Sequence, residues 1–179
     1  MQTLIQLGLL RRIIPFFLFD IVWFLAVWGR DAYVLINTVL VLCLFLFNGR
    51  QLVAQAKPLI LFVLFGLGAE LLFVMFHVIR FTQTDFLPFW LVVLWLGFSA
   101  TAFSSMDWLA GRYVLAALLG AVFGPVTYLA GVRFGAAQIQ ISEPHMIFFY
   151  AVAWSVLMLV FARLVKQDPH PAMVRSHDG

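Results

Sequence analysis

Residues 58–79 read PLILFVLFGLGAELLFVMFHVI, an apolar stretch with one acid, Glu70, near its middle. A helix needs about 20 apolar residues to cross the hydrocarbon core of a bilayer. Residues 13–29, IIPFFLFDIVWFLAVWG, form a second such stretch, with Asp20 near its centre. The two stretches therefore predict transmembrane helices that each carry an ionisable group at mid-depth.

The composition of the whole chain indicates the same class of protein. Of its 179 residues, 64% are hydrophobic and only 11% are charged. Soluble domains carry about 25% charged residues, and a soluble fold of this size cannot bury so much apolar surface. A membrane β-barrel would instead show short alternating segments. We therefore predict an all-α, polytopic integral membrane protein.

Six transmembrane spans are predicted, separated by turn or polar residues. They cover Ile13–Gly29, Ala32–Phe47, Pro58–Ile79, Leu87–Met106, Tyr113–Val132 and Met146–Val165. An even number of spans leaves both termini on one side of the membrane. Most basic residues fall on that side: Arg11, Arg12, Arg50, Lys57, Arg112, Arg163, Lys166 and Arg175. The positive-inside rule then predicts that both termini are cytoplasmic.

The chain is predicted to form one transmembrane helical domain over residues 1–166. Residues 167–179 are polar with two prolines, which favours a disordered cytoplasmic tail. The longest connection, residues 133–145, contains the alternating segment QIQISEPH. That alternation indicates an extended or a re-entrant piece, and the sequence leaves the choice open.

Glu70, His77 and Arg80 fall within a narrow arc if the third span continues as a helix. One interpretation is a polar stripe from mid-membrane to the outer surface, which would carry protons or bind a head group. The other is that Glu70 pairs with a neighbouring helix while His77 reaches the interface. Acids inside a membrane usually have a function, but the sequence does not decide between these two interpretations.

A polar layer is expected at mid-depth, where Asp20, Asn37, Thr38 and Glu70 all lie. If the first and third spans pack together, the two carboxyls would share a proton, because two like charges do not both ionise cheaply in a low dielectric. Alternatively, the amide and hydroxyl groups supply hydrogen bonds that only fix the helix register. Tyr128, in the fifth span, is expected to point into the same layer.

The fifth span carries a helix-packing motif. Gly120, Gly124 and Tyr128 are spaced by four residues, and Gly131 adds another small residue. Small residues at this spacing let helix backbones approach closely. Pro125 removes a backbone hydrogen bond and is expected to kink the span. We interpret this segment as close packing in preference to a hinge.

Several chemistries receive no support from the sequence. No catalytic triad, zinc, phosphate-loop or dinucleotide signature is present, so we predict no metal and no cofactor. The basic residues are dispersed at helix ends, which does not favour nucleic-acid binding. An intramembrane enzyme remains a weaker alternative, because two carboxyls can perform acid–base work but no nucleophile accompanies them.

Four segments resemble a family of small, multi-pass bacterial inner-membrane proteins classed as a domain of unknown function. They are FDIVWFLAVWG, GLGAELL, PFWLVVLWLGFSATAF and LAALLGAVFGPVTYLAGVRFGA, and together they cover most of Phe19 to Ala136. The resemblance implies an amide where Asp20 stands and an acid where Glu70 stands. It also implies an Asn-His-Ser stretch where this chain has Phe103, Ser104 and Ser105.

The resemblance further implies a location in the bacterial inner membrane and an encoding gene near cyclopropane-fatty-acid synthase-like genes. From this context, we predict a role in handling lipids or small amphiphiles, as a carrier or as an accessory to membrane-lipid modification. Its expected partners are membrane lipids. The alternatives are a proton-coupled transporter of a small solute and a non-catalytic assembly subunit, with a homo-oligomer or another membrane protein as partner.

Overall fold

A computed structural model describes residues 2–165 of the chain, with side chains from residue 13 onward. The helices are α1 Gln2–Gly29, α2 Val34–Phe47, α3 Gly49–Ala54, α4 Ala56–Met75, α5 Phe89–Ser105, α6 Tyr113–Arg133 and α7 Glu143–Leu164. Two short 3-10 turns, Arg30–Tyr33 and Asp107–Leu109, and two strands, β1 Ile79–Phe81 and β2 Ala137–Ile139, complete the described part. The tail predicted over residues 167–179 lies outside the described residues.

The helices have the length and surface of a membrane protein. Within the described residues, four helical segments are long and apolar enough to cross a bilayer, and Phe89–Ser105 is a shorter apolar helix. One of the four, Ile13–Phe47, runs through α1, the first 3-10 turn and α2. Large apolar side chains face outward, including Leu46 at 82% exposure and Phe148 at 62%. A water-soluble monomer rarely exposes contiguous apolar surface on this scale, so an all-α membrane-embedded protein is the class that fits.

The connections between helices gather at the two ends of the bundle. At the end that we call the strand end, β1 pairs with β2 in antiparallel register, with Arg80 opposite Gln138. Arg30 joins the same end, because its Nη1 donates to the Gly135 carbonyl at 2.7 Å. At the opposite end, Gln51 Nε2 donates to the Phe103 carbonyl at 3.0 Å. Cross-links at both ends therefore tie together helices that are distant in sequence.

Helices α4 and α6 end in the same way, just before the two strands. His77 N–H donates to the Val74 carbonyl and Val78 N–H to the Phe73 carbonyl, while His77 has a φ of +53°. Gly135 and the residue after it repeat this pattern at the end of α6, with a φ of +74°. A left-handed residue with these two bonds is the Schellman ending of a helix. Each ending turns the chain from a helix into a strand.

These endings correct one expectation and decide between two alternatives that the sequence left open. The third span was predicted to continue to Ile79, but α4 ends at Met75. The connection over residues 133–145 is extended, since it contains β2, and it pairs with β1 at the end of the bundle instead of entering it again. Apolar residues continue past Met75 in the sequence, which is why hydropathy alone extended the helix.

Helix α1 begins at Gln2, 11 residues before the predicted start of the first span at Ile13, and the bounds of the second, fourth, fifth and sixth spans differ from the helices by at most three residues. The sixth predicted span corresponds to α7, which begins at Glu143, not Met146, because Ser142 precedes a Glu-Pro pair that suits a helix start. At the bundle centre, α5 packs against α1, α2 and α4, while α6 packs mainly against α7. Aromatic rings fill the core, with Phe62 in contact with Trp95, Phe98, Phe103 and Phe161.

Candidate functional site

Glu70 is buried at 2% exposure on α4 and is bonded by two tyrosines from other helices. Tyr128 on α6 donates to its Oε1, and Tyr150 on α7 donates to its Oε2 at 3.2 Å. No basic side chain among the described residues bonds to this carboxyl. Each oxygen of the carboxyl therefore has a phenol donor, so the hydrogen-bonding requirement of this buried group is met without a basic side chain.

The two tyrosines are held in place by stacking. Their ring centroids lie 3.9 Å apart, with an angle of 30° between the planes. Phe73, one turn along α4 from Glu70, packs on Tyr150 at 4.6 Å. The position of both rings depends on the close approach of α6 to α7. The hydroxyls are therefore fixed by packing before they bond to Glu70.

A cleft of about 440 Å³ opens beside this cluster. One side is α1 and the other is α6, with α5 and α7 as the floor and β1 and β2 at the strand end. Within the described residues, α1 packs against α2 and α5 but not along α6, which leaves the cleft open sideways. Phe16 and Phe123, at 49% and 61% exposure, lie at its mouth. The opening faces the surface that lipid would cover.

The walls of the cleft are almost entirely apolar and rich in aromatic rings. Five of them are indoles, from Trp23, Trp90, Trp95, Trp108 and Trp154. At the strand end, Trp23 and Phe24 contact Phe134 with centroid distances of 6.4 and 6.0 Å, which closes the gap between α1 and α6 there. The polar side chains on the walls are Asp20, Thr101, Thr127 and Tyr128.

Tyr128 belongs to both features. Its hydroxyl bonds to Glu70, and the residue also lines the cleft beside Trp154, whose ring lies 6.4 Å from its own. Glu70 itself does not line the cleft. Among the described residues that line the cleft, Tyr128 is the one that bonds to the buried carboxyl.

The expected polar layer at mid-depth does not form. Asp20 is exposed on the cleft wall and has no hydrogen bond or ion pair with the described residues. Asn37 is fully buried, and neither atom of its amide has a partner in the described part of the chain. The Thr38 hydroxyl bonds to the Val34 carbonyl of its own helix at 2.8 Å. Asp20 and Glu70 thus face separate surroundings and do not share a proton.

The predicted stripe of Glu70, His77 and Arg80 is also broken. The Schellman ending at His77 turns the chain, and Arg80 lies on β1, where it pairs with Asp85 at 2.7 Å. His77 and Arg80 are both exposed. A helical arc needs an uninterrupted helix, and α4 ends before either residue.

The small residues of the fifth span pack inside the chain. A Cβ at Gly120 would lie 2.3 Å from the Trp154 carbonyl oxygen, and one at Gly124 would lie 2.4 Å from Trp154 Cγ. Gly131 is different, because it lines the cleft and has open space around it. Pro125 is buried in α6, which continues through it from Tyr113 to Arg133.

Comparison with known proteins gives a family but no activity. A family model described as a protein of unknown function, DUF2878, matches residues 12–160. The chain belongs to this family. No curated protein and no solved structure matches it. The matched residues of this DUF2878 protein include Glu70, its two tyrosine partners and the whole cleft, and membership in a family of unknown function confirms the resemblance seen in the sequence.

Sequence reasoning missed several residues of the site in this DUF2878 protein. Tyr150 and Trp154 were not singled out, although a phenol inside an apolar span needs a hydrogen-bond partner. Trp23 and Trp95 look like ordinary core residues in the sequence, and Trp90 looks like an interface anchor near the end of a span. They become walls of a cleft because α1 and α6 do not pack along their lengths, and no local signal predicts that two helices stay apart.

Proposed function

We propose that this protein binds a lipid or small amphiphile in the cleft between α1 and α6, as a carrier or an accessory to membrane-lipid modification. The observation that supports this proposal is the cleft itself, with about 440 Å³ of space, apolar walls and a sideways opening. Ligand sites have volumes of roughly 300–1,000 Å³ and are mostly apolar with a few polar groups. An amphiphile entering from the bilayer would meet this surface first.

The proposed setting is the bacterial inner membrane, crossed six times with both termini in the cytoplasm. The alternating ends of the helices support six crossings, because the connection after α1, β1 and β2 all lie at the strand end. Counted together with the residues towards the two termini, eight of the 11 Lys and Arg residues are assigned by the sequence to the side of the termini and three to the strand end, which supports a cytoplasmic position for the side of the termini.

Filling the cleft tests the proposal directly. Gly131→Leu would place a side chain in the cleft, whereas Gly68→Leu adds the same side chain at a helical glycine of α4 that also has open space but lies outside the cleft. A long-chain alcohol brominated in its tail should quench the tryptophan fluorescence of the detergent-solubilised protein, because five indoles line the cleft. We expect Gly131→Leu to lose most of this quenching and Gly68→Leu to keep it.

Equal quenching in both variants would contradict cleft binding. In cells, the lipid profile of a deletion strain complemented with wild type or with Gly131→Leu tests the physiological part of the proposal. A deletion strain whose lipids are unchanged under envelope stress would refute a role in lipid handling while leaving the binding result intact.

A proton-coupled small-solute transporter is the second candidate. The supporting observation is that Tyr128 joins the buried Glu70 to the cleft. This candidate predicts pH-dependent uptake that is lost in Glu70→Gln and retained in a Tyr33→Phe control. The third alternative, an assembly subunit, would use the glycine ridge of α6 as its interface, but Gly120 and Gly124 are already covered by Trp154 of the same chain.

A further inference from the structure

Asp20 is the one charged side chain on the described walls of the cleft. It lies on α1 between Phe16 and Trp23, which line the cleft on the same face of that helix. The carboxyl has no hydrogen bond or ion pair with any described residue, and no lysine, arginine or histidine lines the cleft beside it. The protein thus provides an acid at mid-membrane without providing its counter-ion.

We infer that the cleft selects an amphiphile whose head is a protonated amine or a quaternary ammonium, with Asp20 as the counter-ion. This inference rests on the proposed function, since it names the class of ligand for the same cleft. A carboxylate within the bilayer is costly unless it is paired. A ligand cation supplies the missing charge, and an apolar tail fills the remaining aromatic surface.

The rings around Asp20 support a cation for a second reason. Phe16 and Trp23 flank it on α1, and Trp95 and Phe98 form the floor on α5. Phe19 packs on Phe98 with a centroid distance of 5.7 Å, which joins these two surfaces. Aromatic faces attract cations, and aromatic cages with quaternary ammonium ligands are a recurring use of this attraction. A carboxyl among aromatic rings is therefore complementary to an ammonium group in both charge and surface.

The position of Asp20 narrows the ligand further. It lies near the middle of the apolar stretch 13–29, far from either interface. A phospholipid head would bring its phosphate to this depth together with its amine, and that phosphate would face the Asp20 carboxyl. A single-chain lipophilic amine carries no such anion. We therefore commit to a lipophilic amine as the occupant and treat a zwitterionic lipid as a competing outcome.

The test uses three probes that share one brominated C16 tail and differ only in the head. The heads are trimethylammonium, hydroxyl and phosphocholine. The full chain is titrated with each probe in an uncharged maltoside detergent, and tryptophan quenching gives the apparent affinity. The variants are Asp20→Asn, Asp20→Glu and Asp31→Asn. Asp31 is an exposed acid outside the cleft, so its variant matches the loss of charge without touching the site.

We expect the wild type and Asp31→Asn to bind the trimethylammonium probe about tenfold more tightly than the hydroxyl probe. This preference should shrink to within about twofold in Asp20→Asn and persist in Asp20→Glu. Thermal unfolding of each variant shows whether it is folded, and Asp20→Glu keeps the test decisive if the asparagine variant unfolds.

Three results would overturn the inference. The preference for the trimethylammonium probe over the hydroxyl probe could stay unchanged in Asp20→Asn, or it could be absent in the wild type. The wild type could also bind the phosphocholine probe as tightly as the trimethylammonium probe. Gly131→Leu separates these failures from a failure of the proposed function. If Gly131→Leu abolishes quenching by all three probes while the wild type binds the three probes with equal affinity, the cleft binds amphiphiles without selecting cations. If it changes nothing, cleft binding itself is wrong.

Discussion

At the scale of single residues, the main result is how Glu70 is accommodated. An acid in an apolar span needs a partner, and here the partners are two phenols donating to its two oxygens. The sequence predicted that Glu70 is special, because a carboxyl in a long apolar stretch is conspicuous. It placed Tyr128 in the same polar layer but did not indicate a direct bond, and it did not single out Tyr150, because these tyrosines lie 58 and 80 residues further along the chain.

The Glu70 cluster predicts non-additive effects on stability. Glu70→Leu should lower the free energy of unfolding by roughly 2–4 kcal/mol, because two buried hydroxyls lose their acceptor. The triple variant Glu70→Leu, Tyr128→Phe, Tyr150→Phe should recover at least about half of that loss, since it removes the donors together with the acceptor. Thermal unfolding in one detergent measures both. Tyr113→Phe, at an exposed tyrosine, is the control, and a triple variant no more stable than Glu70→Leu would refute the network.

Asn37 gives a prediction of the opposite sign. Its amide is fully buried without a partner in the described part of the chain, so the hydrogen-bonded knot expected from the sequence is absent. Asn37→Leu should raise the free energy of unfolding by about 1–2 kcal/mol, because it replaces an unsatisfied polar group with an apolar group that branches at the same atom. Thr38→Val, one residue along α2, serves as the comparison. A destabilised Asn37→Leu protein would mean that the amide has a partner after all.

At the scale of elements, the pair α6 and α7 shows what a sequence motif can and cannot predict. The spacing of Gly120 and Gly124 predicts close helix packing, and in the structure a Cβ at either glycine would lie within 2.4 Å of Trp154. It did not indicate that the partner is Trp154 of the next helix, because a row of small residues can pack against any helix surface of complementary shape. Ser155 Oγ adds a bond to the Ala117 carbonyl at 3.0 Å across the same contact. Close packing in turn brings Tyr128 and Tyr150 together.

Two glycines of α6 should respond to alanine in opposite ways. Gly120→Ala would place a Cβ 2.3 Å from a backbone oxygen, and such overpacking costs about 1–3 kcal/mol. Gly131→Ala meets open space and should stabilise the helix by up to about 1 kcal/mol, since alanine favours helices over glycine. Unfolding temperatures of the two variants in the same detergent decide this. Equal effects would mean that α6 and α7 lie further apart at Gly120 than in the structure.

The strand end is the element that sequence reasoning described least well. The apolar stretch continues past Met75, so the sequence predicted a helix that extends to Ile79. The chain instead turns at His77, a non-glycine residue at positive φ, because Ile79–Phe81 pairs with Ala137–Ile139. That pairing joins residues far apart in sequence. The alternation in QIQISEPH indicated an extended segment, but its partner strand was not recognisable.

At the scale of the whole molecule, composition was sufficient for the class and insufficient for the cleft. The apolar content and the lengths of the apolar stretches predicted a helical membrane protein. The long apolar helices and the outward-facing leucines and phenylalanines of the structure agree with that prediction. The cleft arises because α5 binds α1 on one side while α6 prefers α7. Such a choice between neighbours depends on the fit of entire surfaces, which no local pattern records.

The direction of the molecule in the membrane is the last prediction. In a Cys43→Ser background, Gln140→Cys places a thiol at the strand end, and Lys57→Cys places one at the opposite end; both positions are exposed. Because basic residues concentrate at the end that contains Lys57, that end should be cytoplasmic. A membrane-impermeant maleimide should therefore label Gln140→Cys in intact spheroplasts and Lys57→Cys only after lysis. The reverse labelling pattern would show that the strand end, and not the end with Lys57, is cytoplasmic.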